Sequence, residues 1–218
     1  MGNMGNMDNK AELLHNNQVG KKDIYNFKCK KCGKCCYNHT GIILTPYDLF
    51  WAAVKLNTST EDIVSKYCYR YIGDQSKLPI VSIKAGSCPF HTPTGCMLGE
   101  MKPTICRMYP LGRGYVDGKI VYFNQPVTCG DKNPAQTVDD WLKLNDVFEE
   151  NERFSKAWYD LISKITLFIH ERKFAPRELE AFQGTLIPIL YMCYDTKVYF
   201  WSQFLDRKEC IERILKEI

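Results

Sequence analysis

The chain has 218 residues, with 29 Lys and Arg against 25 Asp and Glu, a formal charge of +4. That length suits one domain of ordinary size, or one domain with an elaborated end, and it buries a core without covalent staples. The apolar fraction of 45% excludes a disordered chain, and so small a charge leaves no footprint for nucleic acid or a membrane surface. Against this ordinary background stand 11 cysteines.

The elements follow in chain order. Residues 1–22 are expected to be a mobile tail: the start is Asn-rich, has no apolar run of a secretory signal, and carries Asn6 where a myristoylation pattern needs Ser or Thr. His15 lies in this tail and reads as a surface group. No stretch is long and apolar enough for a membrane helix, so the expected setting is a soluble, cytoplasmic protein. In a reducing compartment, clustered cysteines read as metal ligands or redox centres before they read as disulfides.

Cys29, Cys32, Cys35 and Cys36 come next, written Cys-Lys-Lys-Cys-Gly-Lys-Cys-Cys. Two thiolates two residues apart form a common half-site for tetrahedral zinc and for iron–sulfur clusters. Gly33 supplies backbone freedom for the turn. Lys28, Lys30, Lys31 and Lys34 offset the charge of a four-thiolate site and favour thiolate over thiol. Neighbouring side chains usually diverge, so Cys35 and Cys36 seldom bind one ion. Either they serve two centres, or one is a bystander. Cys88, Cys96, Cys106 and Cys129 bring the count in this half to eight, enough for two four-thiolate sites or one polynuclear cluster.

Thr45-Pro46 predicts a helix start, with Leu49, Ala52, Ala53 and Leu56 on its apolar face and Asp48 as a charge at its N-terminus. Thr58-x-x-Glu61 predicts a capping box for a second helix running toward Tyr69. Pro79 to Lys84 reads as a strand, and 88–106 as Pro- and Gly-punctuated loop, with Pro103 starting a short helix that carries Cys106 and Arg107. Tyr115 to Phe123 reads as a hairpin turning at Asp117-Gly118. A long helix is expected from Thr137 to about Arg172, with Trp141, Leu144, Phe148, Leu161 and Ile165 on its apolar side. A second runs from Pro176 toward Tyr194, kinked or divided at Pro188, and a third from Trp201 to Ile218. Cys193 and Cys210 fall in these helical patterns and read as core residues. The fold class is therefore α+β: mostly helical, with a small hairpin and irregular Cys-rich loops. The expected division is a tail at 1–22, a cysteine-cluster domain at 23–136, and a helical extension at 137–218 packed on it.

Three blocks resemble the YkgJ-type cysteine-cluster proteins, a zinc- or iron-chelating domain: Cys29 to Cys36; Cys88-Pro89-Phe90 with Gly95-Cys96; and Glu100 to Pro110, including Pro103, Cys106, Arg107 and Tyr109. Cys129, ahead of Thr137, agrees with a later family cysteine, and Asp48 with an acidic family position. The likeness covers roughly residues 25 to 145. Lys102, Gly99 and His91 depart from the usual pattern without touching a cysteine. The resemblance implies a chelating domain, often regarded as an iron–sulfur oxidoreductase; a related branch resembles flagellin lysine N-methylases.

The metal ligands expected are Cys29, Cys32, Cys35, Cys36, Cys88, Cys96, Cys106 and Cys129. His39 and His91 lie near them, and imidazole also suits zinc and iron. Arg107 reads as a charge partner to thiolates and Tyr109 as a hydrogen-bond donor or packing group; His170 reads as a surface residue. No dinucleotide fingerprint, phosphate loop, radical-adenosylmethionine motif or His-Glu-x-x-His is present; Gly112-Arg-Gly114 is a lone G-x-G. The reading is a cysteine-cluster protein carrying an iron–sulfur or iron centre with a redox role. The alternatives are a zinc-stabilised binding or scaffold module and, third, a lysine methylase-like enzyme. The expected partner is a protein or small molecule, with no nucleic acid and no membrane.

Overall fold

The structure is a computed structural model that describes residues 17–37, 39, 41–127, 129–132, 135–145 and 149–217. His15 and Phe148 lie outside the described residues, as does most of the expected tail. The described chain is α+β, with seven α-helices and small antiparallel sheets. No helix among the described residues is long and apolar enough to cross a membrane.

Two compact units interleave along the chain: Met1–Lys34 with Thr104–Glu152, and Cys35–Pro103 with Arg153–Ile218. These units differ from the consecutive blocks expected from composition, and their division cuts the cysteine run between Lys34 and Cys35.

In the first unit, β1 (Gln18–Val19) pairs with the hairpin partner that follows much later. Residues 18 and 19, expected in the tail, are thus a strand. Helix α3 (Thr104–Met108) begins after Pro103, as its position predicts. Strands β7 (Leu111–Val116) and β8 (Lys119–Asn124) form the predicted hairpin, turning through Asp117 at φ +48° and Gly118 at φ +71°. Two consecutive left-handed residues match the twist of the strands they join. The sheet order is β1-β8-β7. Helix α4 (Val138–Leu144) starts at Thr137, whose side chain and Asp140 make a reciprocal capping box. The expected long helix from 137 to 172 is divided. Asn145 closes α4 with its backbone and side-chain N–H groups on the Trp141 carbonyl, and α5 (Glu149–Arg172) is a separate helix. A small core holds Tyr25, Phe27, Met108, Leu111, Tyr122, Val138, Trp141 and Leu142. The Trp141 indole donates to the Met108 carbonyl at 2.9 Å, so this core ties α4 to α3.

In the second unit, β2 (Ile42–Leu44) leads into α1 (Pro46–Leu56). Thr45 caps α1 and Asp48 completes the capping box, accepting from the Thr45 N–H at 2.9 Å. Helix α2 (Thr60–Tyr67) corrects the expected cap by one residue: Ser59, not Thr58, accepts the first-turn N–H, at Asp62. Two adjacent hydroxyl residues and two adjacent carboxylates make both registers plausible by spacing. Glu61 instead accepts from the Cys193 N–H at 2.8 Å. The helix stops at Tyr67 and the chain enters β3 (Cys68–Ile72), which pairs with β4 (Pro79–Ile83) in the order β2-β4-β3. The small ribbon β5 (His91–Thr92) and β6 (Gly95–Cys96) interrupts what reads as loop. Helices α6 (Pro176–Tyr191) and α7 (Phe200–Glu217) follow, with Pro188 inside α6. An aromatic group of Tyr47, Phe50, Phe154, Tyr194, Phe200 and Phe204 fills the core with ring centroids about 5 Å apart, an efficient way to bury apolar area.

Candidate metal centres

Cys29 and Cys32 belong to the first unit with Cys106 and Cys129. The segment 25–30 is held there by backbone pairing. Tyr25 donates to the Gln136 carbonyl, and Lys28 and Asp131 exchange N–H to carbonyl bonds at 2.7 and 2.9 Å. That bridge sets Cys29, one residue after Lys28, beside the strand of chain that leaves Cys129. Lys30 forms an ion pair with Asp131 at 2.8 Å across the same crossing. Phe27 lies against Gly130, and α3 carries Cys106 beside Met108 of the same core. The Cys32 and Cys129 side chains hydrogen-bond with each other.

Local turns then prepare the sulfurs. Cys29 Sγ accepts from the Lys31 N–H at 3.3 Å, and Cys32 Sγ from the Lys34 N–H. Lys31 at φ +54° and Gly33 at φ +71° make the two turns possible. The Lys34 N–H, helped by Cys129 and the Lys34 charge, holds the Cys32 thiol below its ordinary pKa. A donor aimed at sulfur favours the anion, which is the form that binds metal.

Cys35, Cys36, Cys88 and Cys96 belong to the second unit. Cys36 ends a single 3-10 turn, and its carbonyl accepts the Cys88 N–H at 2.8 Å. The Cys88 carbonyl accepts the His91 N–H at 3.0 Å, and His91 pairs with Cys96 in the β5–β6 ribbon. Three backbone connections therefore stitch Cys36, Cys88 and Cys96, with Cys35 next in sequence, into one loop cluster. The Cys88 sulfur also accepts from the Phe90 and His91 N–H groups, repeating the turn seen at Cys29 and Cys32. Phe90, 1% exposed, and Leu98, 0% exposed, anchor this cluster to the core. Burial pushes the Cys36 thiol up to about 12, and the thiols of Cys35, Cys88 and Cys96 add to the rise. Burial, opposed by the N–H donors, also raises Cys88. Cys36 and Cys88 thus resist ionisation in the metal-free protein, and a cation beside them would relieve the cost of placing negative charge on sulfur there.

Among the described residues, no three His, Cys, Asp or Glu side chains already converge on a point that could hold a metal ion. The donor chemistry nevertheless fits a thiophilic metal: soft thiols, most of them on short loops, with Cys29, Cys32 and Cys88 fronted by N–H donors. Binding would have to draw these loops inward, so metal affinity and loop ordering are coupled.

The remaining candidates separate clearly. His39 bridges Gly86, and its Nδ1 accepts from the Gly41 N–H at 3.2 Å. That bond assigns the proton to Nε2, which is buried and has no partner among the described residues. In this tautomer His39 presents an N–H rather than a lone pair at Nε2, and so is not a metal ligand. The His91 ring lies 4.9 Å from that of Tyr37, edge to face. His170 is a surface group, as expected, with Nε2 at 2.8 Å from the Gln75 carbonyl. Arg107 is buried on α3, next in sequence to Cys106, and Tyr109 stands within electrostatic reach of Tyr25. Cys68 is buried in the second core, where burial pushes its thiol up to about 12. Cys193 corrects its sequence reading. It is exposed, past the end of α6, at φ +60° and outside any core. Cys210 is half-buried on α7. Sequence reasoning missed Asp131 and the Phe27–Gly130 contact; the glycine directly after Cys129 was the available signal.

A family described as “Putative zinc- or iron-chelating domain”, named for its CxxCxxCC run, matches residues 28–141, more than half of the chain. No curated protein and no solved structure matches. The matched span contains all eight clustered cysteines and leaves out Cys193 and Cys210.

Proposed function

Because the chain belongs to the CxxCxxCC family of zinc- or iron-chelating domains, we propose that it binds iron through Cys29, Cys32, Cys35, Cys36, Cys88, Cys96, Cys106 and Cys129, at least in part as an iron–sulfur cluster, and that it serves in electron transfer. The observation that carries the choice of a cluster is the pair Cys35–Cys36. Both fall in the same loop cluster with Cys88 and Cys96. Adjacent cysteines seldom bind one ion, whereas a polynuclear cluster offers each of them its own iron. Such a cluster supplies one-electron chemistry, its potential set by charge, hydrogen bonds to sulfur and solvent exposure. The chain's own residues supply the N–H donors to Cys29, Cys32 and Cys88, which stabilise sulfur-borne charge.

A second reading, zinc as a structural ion, is favoured by the first unit. Its Cys29-x-x-Cys32 half-site and small core suit an ion that holds loops together. Anaerobic purification separates the two. The iron reading expects brown protein with thiolate-to-iron absorption in the visible, acid-labile sulfide, and bleaching on reduction. Colourless protein holding only zinc would refute it.

A further inference from the structure

Resting on that metal-binding reading, we infer that the eight cysteines form two separate centres and not one: Cys29, Cys32, Cys106 and Cys129 hold the first, and Cys35, Cys36, Cys88 and Cys96 the second. The Cys-x-x-Cys-x-x-Cys-Cys run is then not one site. It is two half-sites in tandem, divided between Lys34 and Cys35.

Three observations support the partition. The compact units divide at that peptide and again between Pro103 and Thr104, which assigns four of the eight cysteines to each. Long-range backbone pairing follows the same grouping. The Lys28–Asp131 exchange joins the Cys29 segment to the Cys129 segment, while the Cys88 N–H to Cys36 carbonyl bond and the His91–Cys96 pairing join the other group. Side-chain neighbours respect it as well: Cys32 meets Cys129, and Cys36 has Cys35, Cys88 and Cys96 around it.

The groups also differ in character. Cys29 and Cys32 are exposed and each accepts an N–H from the residue two positions on. The second group has adjacent cysteines, and its Cys36, Cys88 and Cys96 are half-buried. The tandem half-sites therefore need not hold the same metal species.

Anaerobic reconstitution of the full-length protein with iron(II) and sulfide tests this. The variants are Cys32→Ser with Cys129→Ser, and Cys36→Ser with Cys88→Ser. Each pair is expected to lose only its own share of iron, and the two losses are expected to sum to the wild-type content. Loss of all iron in either pair, with far-UV circular dichroism unchanged, would mean one shared cluster and overturn the partition. A second readout needs no variant. Wild-type protein loaded to half capacity and alkylated is read by intact mass: protected thiols in groups of four support two centres, and eight protected together overturns them. Wild-type protein that takes up neither iron nor zinc refutes the metal-binding reading itself, an outcome distinct from shared loss.

Discussion

Replacing Gly130 by alanine should destabilise the first unit more than the same change at Gly86 destabilises the second. Both glycines have positive φ, +95° and +104°. An L-residue in such a conformation costs about 1–3 kcal/mol at either position. Their surroundings differ. A Cβ on Gly86 meets nothing within 4 Å, whereas one on Gly130 overlaps Cε2, Cζ and Cδ2 of Phe27, the last at 2.9 Å. Phe27 has little room to yield. It is 7% exposed and wedged between Tyr25 and Trp141, with ring centroids 6.3 and 5.4 Å away. Forcing it aside adds an overpacking cost of about 1–3 kcal/mol. Gly130→Ala should therefore lose about 2–6 kcal/mol and Gly86→Ala about 1–3 kcal/mol. Urea unfolding of the metal-free proteins measures both. Metal content gives the functional reading, since Phe27 and Gly130 flank Cys29 and Cys129, and iron should fall in Gly130→Ala. Equal destabilisation by the two substitutions would refute the claim that the Phe27 ring positions the segment after Cys129.

Other outcomes follow from the same contacts. Trp141→Phe removes the indole donor to the buried Met108 carbonyl and should cost about 1–3 kcal/mol in urea unfolding; a change under about 0.5 kcal/mol would count against that bond. Cys68 sits at about 12 against an ordinary 9.0, so its fold-stabilising contribution is complete below pH 9 and is lost as pH rises toward 12. In that window the unfolded thiol has released its proton and the folded one has not, so stability falls by up to about 1.4 kcal/mol per pH unit. Cys68→Ala should flatten the slope by that amount in denaturation curves taken across the alkaline range, and an unchanged slope would refute the assignment. Cys193→Ser and Cys210→Ser should leave bound metal unchanged, because neither residue belongs to a cysteine group; elemental analysis decides, and a loss comparable to that of Cys32→Ser would break the ligand set.

Much of the fold is local and therefore legible. The Thr45 and Thr137 caps, the Asp117-Gly118 turn and the short helix after Pro103 each depend on residues within one turn of chain. Errors arose where local signals compete. Thr58 and Ser59 both offer a capping hydroxyl, and in the fold Ser59 accepts the Asp62 N–H while Thr58 donates to the Asp62 carboxylate. The apolar period of 137–172 continues across the break at Asn145, whose bonds to Trp141 end the helix. The strand Cys68–Ile72 was missed because only Cys68 faces the core, so no apolar alternation marks it.

By itself, the sequence determined the donor chemistry. Eight thiols at ligand spacing, with lysines between them, are a property of residue types and short separations. It also determined the family, whose pattern is written in those same separations. Only the tertiary structure decided which cysteines share a compact unit. That grouping depends on pairing between distant segments, Lys28 with Asp131 and Cys36 with Cys88, and on a division that falls inside a run of eight residues. No periodicity along the chain encodes such contacts, because the free energy that selects them comes from two separate cores on either side of that division.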